Sequence, residues 1–286
     1  MKYPRIASHL YSAPWQILPA KFQEITVAFE SARGATGSTP EMAASDPVGP
    51  IGYDWIEDRV KLLHPQVETF GPVALARVHG VTGRRLSQLA MQCGGFDTGL
   101  FEQQLENIRD DDSIRTLVID FDTPGGMAAG GMETAQAIRA VADSGKRVIG
   151  YASGMCCSAG YFLACACDEF HAHPASMVGS VSTIWAMVDS SKAWEKNGLE
   201  LKLFATGIYK ATGYPGKAMT PEEEANCWSV VRPLDDEFKG FVSSRRGLTP
   251  DLMQGQWWDA KFAPANVVDS TSFQKLSSVL EAAFQL

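Results

Sequence analysis

Short apolar runs alternate with helical patterns from about residue 67 to 268, which predicts an α/β domain on a largely parallel sheet. Three observations carry that prediction. "RTLVIDF" is a continuous apolar run of strand length, and "KRVIGYAS" repeats the pattern about 30 residues later. Between them "METAQAIRAVADSG" has helical spacing, with Gly145 as its C-terminal cap. The same pace of strand and helix continues on both sides.

Taken in order, "PAKFQEITVAFESA" places Phe22, Ile25 and Phe29 at helical spacing, so residues 1–31 read as a helical arm. Residues 32–52 are rich in Gly, Pro, Ser and Ala with no apolar period, and read as a flexible linker. "YDWIEDRVKLL" reads as another helix, "VALARVHGV" as a strand and "LFEQQLENIRDD" as a helix. After "KRVIGYAS", "GMCC" reads as a turn and "SAGYFLACA" as a helix. "EFHAHP", "TIWAMVD" and "LELKLFAT" supply further strands, the last two separated by the helix "SKAWEKNG". From Thr220 the pattern is helical, opened by Thr220, Pro221 and three glutamates. The main body spans 53–268, and 269–286 form a C-terminal helix. No internal repeat is present.

The 286 residues are 45% apolar and 20% charged, ordinary for a globular protein. A net charge of −8 weighs against a nucleic-acid binder, which normally carries a basic face. There is no window of about 20 uninterrupted apolar residues and no apolar h-region near the start. The expectation is therefore a cytosolic protein without a membrane span. The six cysteines form no C-x-x-C pair and no histidine pair completes a zinc pattern, so buried free thiols, no metal and no cofactor are expected.

Two stretches lie at C-terminal strand ends, where α/β proteins place their sites. In "DFDTPGGMAAGG", Pro124 fixes its φ and two glycines free the next turn, so bare N–H groups there can face an oxyanion. An ordinary strand-to-helix turn is the simpler reading of those four residues alone. In "MCCSAGYFLACA", Ser158 opens a helix, either as an N-cap or as a nucleophile at a helix end that favours negative charge. A nucleophilic serine needs a base. The histidines are His9, His64, His79, His171 and His173; the last two share a strand face and fit a structural role. A lysine base must lose its proton near neutral pH, from about 10.4, an environmental bias of about 4 kcal/mol. Lys210, in "FATGIYKATGYPG", has no carboxylate close in sequence; Lys217 is the second candidate, and Lys202 fits less well.

In this order, "RTLVIDFDTPGGMAAGG", "MCCSAGYFLACACDEFHAHP" and "VGSVSTIWAMVDSSKAWEKNGLELKLFATGIYKATGYPG" resemble the signal peptide peptidase A family of serine–lysine peptidases, in particular its lambda-type phage branch of capsid assembly (head maturation) proteases. The separation of Ser158 and Lys210 (210 − 158 = 52) fits the single-domain members. The similarity spans roughly 70–268, and "YPRIASHLYSAPWQILPAKF" also resembles the start of phage members. The resemblance implies the Clp protease/crotonase fold, a spiral of ββα units that assembles into homo-oligomeric rings. It implies Ser158 as nucleophile and Lys210 as base. Gly126 and Ala159 would supply the oxyanion N–H groups, Gly125 the turn, and Ser180 an orienting hydroxyl for the lysine. Implied substrates are scaffold, portal or capsid proteins, cleaved in the host cytoplasm inside the procapsid.

Two departures stand out. The family's Gly-Ser-Ile-Gly segment reads Gly179-Ser180-Val181-Ser182 here. The chain also stops soon after the protease-like body, so any scaffold is expected to be a separate protein. The lack of a membrane anchor argues against signal-peptide cleanup at a bilayer, though a host-type cytosolic peptidase remains an alternative. A Clp-type Ser-His-Asp enzyme would need a histidine near 179–183, where there is none. A crotonase-type acyl-CoA enzyme would need acidic groups in place of the serine and lysine. A capsid-assembly component of the same fold without activity is the non-enzymatic alternative.

Overall fold

The strands called by the apolar runs pair as a two-sheet spiral in a computed structural model of the protein, which describes residues 13–34, 67–87, 90–91 and 94–285. Residues 1–12 of the expected arm, the linker from 35 to 52, the helix expected at "YDWIEDRVKLL", and His9, His64 and Cys93 lie outside the described residues. In chain order the elements are β1 (Trp15–Ile17), α1 (Pro19–Gly34), β2 (Glu68–Phe70), β3 (Val73–His79), β4 (Val81–Gly83), β5 (Gly95–Asp97) and α2 (Thr98–Asp110). Then come β6 (Thr116–Thr123), β7 (Gly125–Met127), α3 (Gly131–Asp143), β8 (Arg147–Cys157) and α4 (Ala159–Ala164). The chain continues with β9 (Glu169–Ala172), β10 (Met177–Gly179), α5 (Ser191–Lys196), α6 (Pro221–Arg246), β11 (Trp257–Asp259) and α7 (Leu276–Phe284).

The large sheet runs β11–β10–β8–β6–β3–β2, with β9 also on β8. Its centre, β3–β6–β8, is parallel. Period-2 alternation buries both faces. Ala74, Val78, Leu117, Ile119 and Phe121 face a core shared with α2, α3, α4 and α6. Val73, Leu75, Val118, Ile149 and Tyr151 face α7 through Val279 and Ala283.

A second sheet, β1–β7–β4–β5, makes the spiral. β3 runs on through Gly80 into β4, and β6 through Pro124 into β7, so a long strand of one sheet feeds a short strand of the other. A helix then follows; β6–β7–α3 is the clearest unit. This is the Clp protease/crotonase-like α/β architecture that the resemblance implies.

Several local expectations change. "GMCC" is not a turn: β8 continues to Cys157, and its register against β6 slips between Phe121 and Thr123. That bulge bends β8, so its first half pairs with β9 and its second with β10. The Asp122 carboxylate fixes the bend by accepting the Met155 N–H at 2.9 Å. "TIWAMVD" forms one isolated bridge, Ile184 to Trp15. "LELKLFAT" forms no strand: Leu199, Leu203 and Phe204 are exposed, and no neighbouring strand takes up their backbone. From Thr220 there is one 26-residue helix, with Pro233 inside it and a capping box between Thr220 and Glu223. No helix among the described residues is long and apolar enough to cross a membrane.

Candidate active site

β8 delivers Ser158 to the C-terminal edge of the parallel sheet, and α4 starts at the next residue. Ser158 has φ 54° and ψ −117°, outside the regions open to L-residues, at a cost of about 1–3 kcal/mol. Backbone bonds hold it there: its N–H donates to the Gly179 carbonyl at 2.7 Å and its carbonyl accepts from Phe162 at 2.9 Å. The side chain is 0% exposed. Its Oγ makes no cap bond and has no hydrogen-bond partner among the described residues. Ser158 therefore occupies the N-cap position without capping, which removes the structural explanation for this serine.

The surrounding small residues are there because backbone packs on backbone. A methyl group on Gly125 (φ 100°) would lie 2.9 Å from Ser158 Cβ, 3.0 Å from the Ala159 nitrogen and 2.2 Å from the Gln16 carbonyl oxygen. One on Gly160 would lie 2.3 Å from Thr123 Cγ2. The Pro-Gly-Gly turn and the serine turn are thus in contact. Thr123, which the sequence did not single out, holds the first of them: its buried Oγ1 accepts the Gly125 N–H at 3.1 Å. Ala159 is the first residue of α4, so its N–H has no intrahelical acceptor.

Ser180 lies beside this turn, since its neighbour Gly179 carries the carbonyl that binds Ser158. It is buried with φ 58°, and its N–H donates to the Gln256 carbonyl at 2.7 Å. Gly125, Gly126, Ser158, Ala159 and Ser180 are therefore gathered in one place.

Lys210 is not brought to Ser158. It sits in an irregular loop, exposed, near exposed Phe204, Ile208, Tyr209 and Tyr214. Lys217 is bound in an ion pair to the buried carboxylate of Glu223, so its amine is engaged there and not at Ser158. Lys202 pairs with Glu200 at the surface. His79 and His171 bind Asp120 and Glu169, at 2.9 and 3.0 Å. The adjacent cysteines offer no competing nucleophile, because burial pushes the Cys157 thiol up to about 12 and Cys156 well above its ordinary value. Among the described residues no group of His, Cys, Asp and Glu is arranged to hold a metal ion.

Glu223 anchors the lysine loop. Its carboxylate takes Lys217, the Thr220 N–H at 3.0 Å and the Thr212 hydroxyl at 3.1 Å. The Lys217 hydrogen bond first, then that of Thr220, hold its carboxyl below 4.5. A depressed folded-state value stabilises the fold above the unfolded value and is lost as pH falls through it. Glu223→Ala is expected to cost about 1–2 kcal/mol at pH 7. The difference from wild type should shrink as pH drops below 4.5, which thermal unfolding across pH 7 to 3 checks.

The least expected member of the site is β1. It lies antiparallel to β7 with Gln16 opposite Gly126. Leu18 N–H donates to Pro124 O at 2.9 Å and Ala128 N–H to Pro14 O at 3.3 Å. By antiparallel alternation the intervening pair is hydrogen-bonded, so the Gly126 N–H donates to the Gln16 carbonyl. On the other edge Trp15 exchanges bonds of 2.7 and 2.9 Å with Ile184. The available sequence signal was Pro14 and Pro19 bracketing "WQIL", an extended run stopped by a proline at each end.

Residues 140–275 match the family model described as Peptidase family S49. The capsid assembly protease C of Escherichia phage lambda is 25% identical over 255 residues, 87% of this chain and 58% of that protein. The chloroplastic serine protease SPPA of Arabidopsis thaliana is 24% identical over 196 residues, 67% of this chain and 29% of that one. The chain thus spans little more than half of the lambda relative. Among solved structures, an enoyl-CoA hydratase/isomerase from Marinobacter aquaeolei is similar at 17% identity and a TM-score of 0.47, covering 77% of this chain and 75% of that one.

Proposed function

From the match of residues 140–275 to peptidase family S49 we propose that this chain is a serine endopeptidase working through Ser158 and Lys210. The observation that carries this is Ser158 itself: buried, strained, capping nothing, and in contact with the Gly125 turn. Strain and an unpaired buried hydroxyl persist where surrounding structure enforces them, and functional sites are where they concentrate.

Ser158 Oγ attacks the peptide carbonyl carbon and gives its proton to the Lys210 amine. The N–H groups of Gly126 and Ala159 receive the oxyanion, with Gly125 setting the turn. The lysine returns the proton to the leaving amine, an acyl-enzyme remains, and the same lysine activates the water that hydrolyses it. Ser180 orients the lysine. Because Lys210 is exposed within one chain, this chemistry requires the loop to be covered, since burial favours the neutral form of a lysine. Exposed Phe204, Ile208 and Tyr209 on the same loop support a second copy as that cover, within a homo-oligomeric ring.

The similarity to the lambda protein reaches beyond 140–275 to 87% of the chain. That breadth supports a role in phage capsid maturation, with scaffold, portal or capsid proteins cleaved in the host cytoplasm inside the procapsid. The direct test is a fluorophosphonate probe applied at about pH 8, with the adduct located by peptide mass spectrometry. Labelling at Ser158 is the expected result. No labelling in a verified oligomer would replace this reading with a capsid-assembly component of the same fold.

A further inference from the structure

A nucleophile that is 0% exposed cannot meet a substrate until something over it moves, and the chain's own N-terminal strand packs on the Gly125 turn that Ser158 touches. The Gln16 carbonyl oxygen and Ser158 Cβ both border the space that a side chain on Gly125 would fill, and the same carbonyl takes the Gly126 N–H. That N–H is one of the two donors assigned above to the oxyanion. The carbonyl therefore takes a donor that a substrate carbonyl would take, on the same turn that Ser158 touches.

We propose that the groove between β7 and Ile184 is the peptide cleft of this enzyme, and that residues Pro14–Leu18 occupy it in cis as an internal competitor of substrate. The proposal rests on the peptidase reading above and adds its regulation. Three features make the segment a removable occupant rather than a permanent strand. Its pairing on both edges is made by main-chain groups, the sequence-tolerant mode by which extended peptides add to a sheet edge. Its apolar side chains, Trp15 and Ile17, cluster with Phe22 of α1 apart from both cores of the large sheet, so release opens neither. The Gln16 side chain fits its pocket imperfectly: Nε2 reaches Thr183 Oγ1 at 3.4 Å, while the buried Oε1 has no partner among the described residues. An unpaired buried acceptor weakens the docking. The pocket beside Gly131 and Phe162 admits an uncharged side chain of this length, which sets the substrate class as extended peptides with such a residue before the cut bond.

The test uses the full chain and two variants that weaken docking, Ile17→Asp and the milder Trp15→Ala. Two quantities are read: the rate of fluorophosphonate labelling at Ser158, and hydrogen exchange in peptides covering 13–18 and 123–128. Release of the strap should raise the labelling rate by about tenfold or more, in proportion to the open fraction, and deprotect both peptides. A synthetic hexapeptide with the sequence of residues 13–18 should slow labelling again and reprotect 123–128 while leaving 13–18 exposed, and a scrambled one should do neither. If exchange at 123–128 is released while labelling does not accelerate, the strand does not shield the nucleophile; the inference falls and the peptidase reading stands. If no chain is labelled, yet exchange still responds to the hexapeptide, the peptidase reading falls and the groove's occupancy by peptide stands.

Discussion

Ser158→Ala is expected to abolish fluorophosphonate labelling, to lower any peptidase activity by about 10⁴-fold or more, and to make the protein more stable by about 1 kcal/mol. The last outcome is the discriminating one. Ser158 Oγ is buried without a partner among the described residues, so the native state carries the desolvation of a hydroxyl and receives no hydrogen bond from them for it. Alanine removes that cost and keeps the backbone strain at φ 54°. Were the serine a working N-cap, the same substitution would cost about 1 kcal/mol, so the two explanations differ in sign. Urea unfolding of both proteins, with unchanged slope and a shifted midpoint, gives the answer. A stabilised, inactive variant is the usual signature of a site whose geometry is kept at the expense of stability.

The parts of this fold that could be read from sequence are those decided by local pattern. "RTLVIDF" is legible as a strand because burial on both faces leaves an apolar run, and β6 carries it out to Thr123. Thr220 is legible as a helix start because its capping box is local. Gly145 lies just past α3 with φ 93°, as a C-terminal cap should.

What was not legible depends on partners far along the chain. The bulge in β8 is set by Asp122, 33 positions away from Met155. Trp15–Ile17 is a strand because β7 and Ile184 accept it, and pairing partners leave little trace in local composition. The alternation in "LELKLFAT" signals an apolar face but not what covers it; among the described residues Phe204 is 96% exposed. The two candidate lysines look alike in sequence. Only the fold shows Glu223 spending its carboxylate on Lys217 as well as on its own helix cap.

That difference between the lysines gives the second large effect. Lys210→Ala is expected to reduce Ser158 labelling and peptidase activity by about 10²–10⁴-fold, the scale of a lost general base, with stability unchanged within about 0.5 kcal/mol. The side chain is exposed and forms no ion pair with the described residues, so its removal takes nothing from the folded single chain. Lys217→Ala should behave in the opposite way. It leaves the buried Glu223 carboxylate without its cation and should cost about 1–3 kcal/mol, while retaining most activity at temperatures where the chain remains folded. The proposal that a second copy covers the Lys210 loop also predicts that activity per chain rises with protein concentration in the wild type. If instead Lys217→Ala is the variant that silences Ser158 and Lys210→Ala is not, the ion pair to Glu223 must break on assembly, and the base belongs to the helix-capping cluster rather than to the exposed loop.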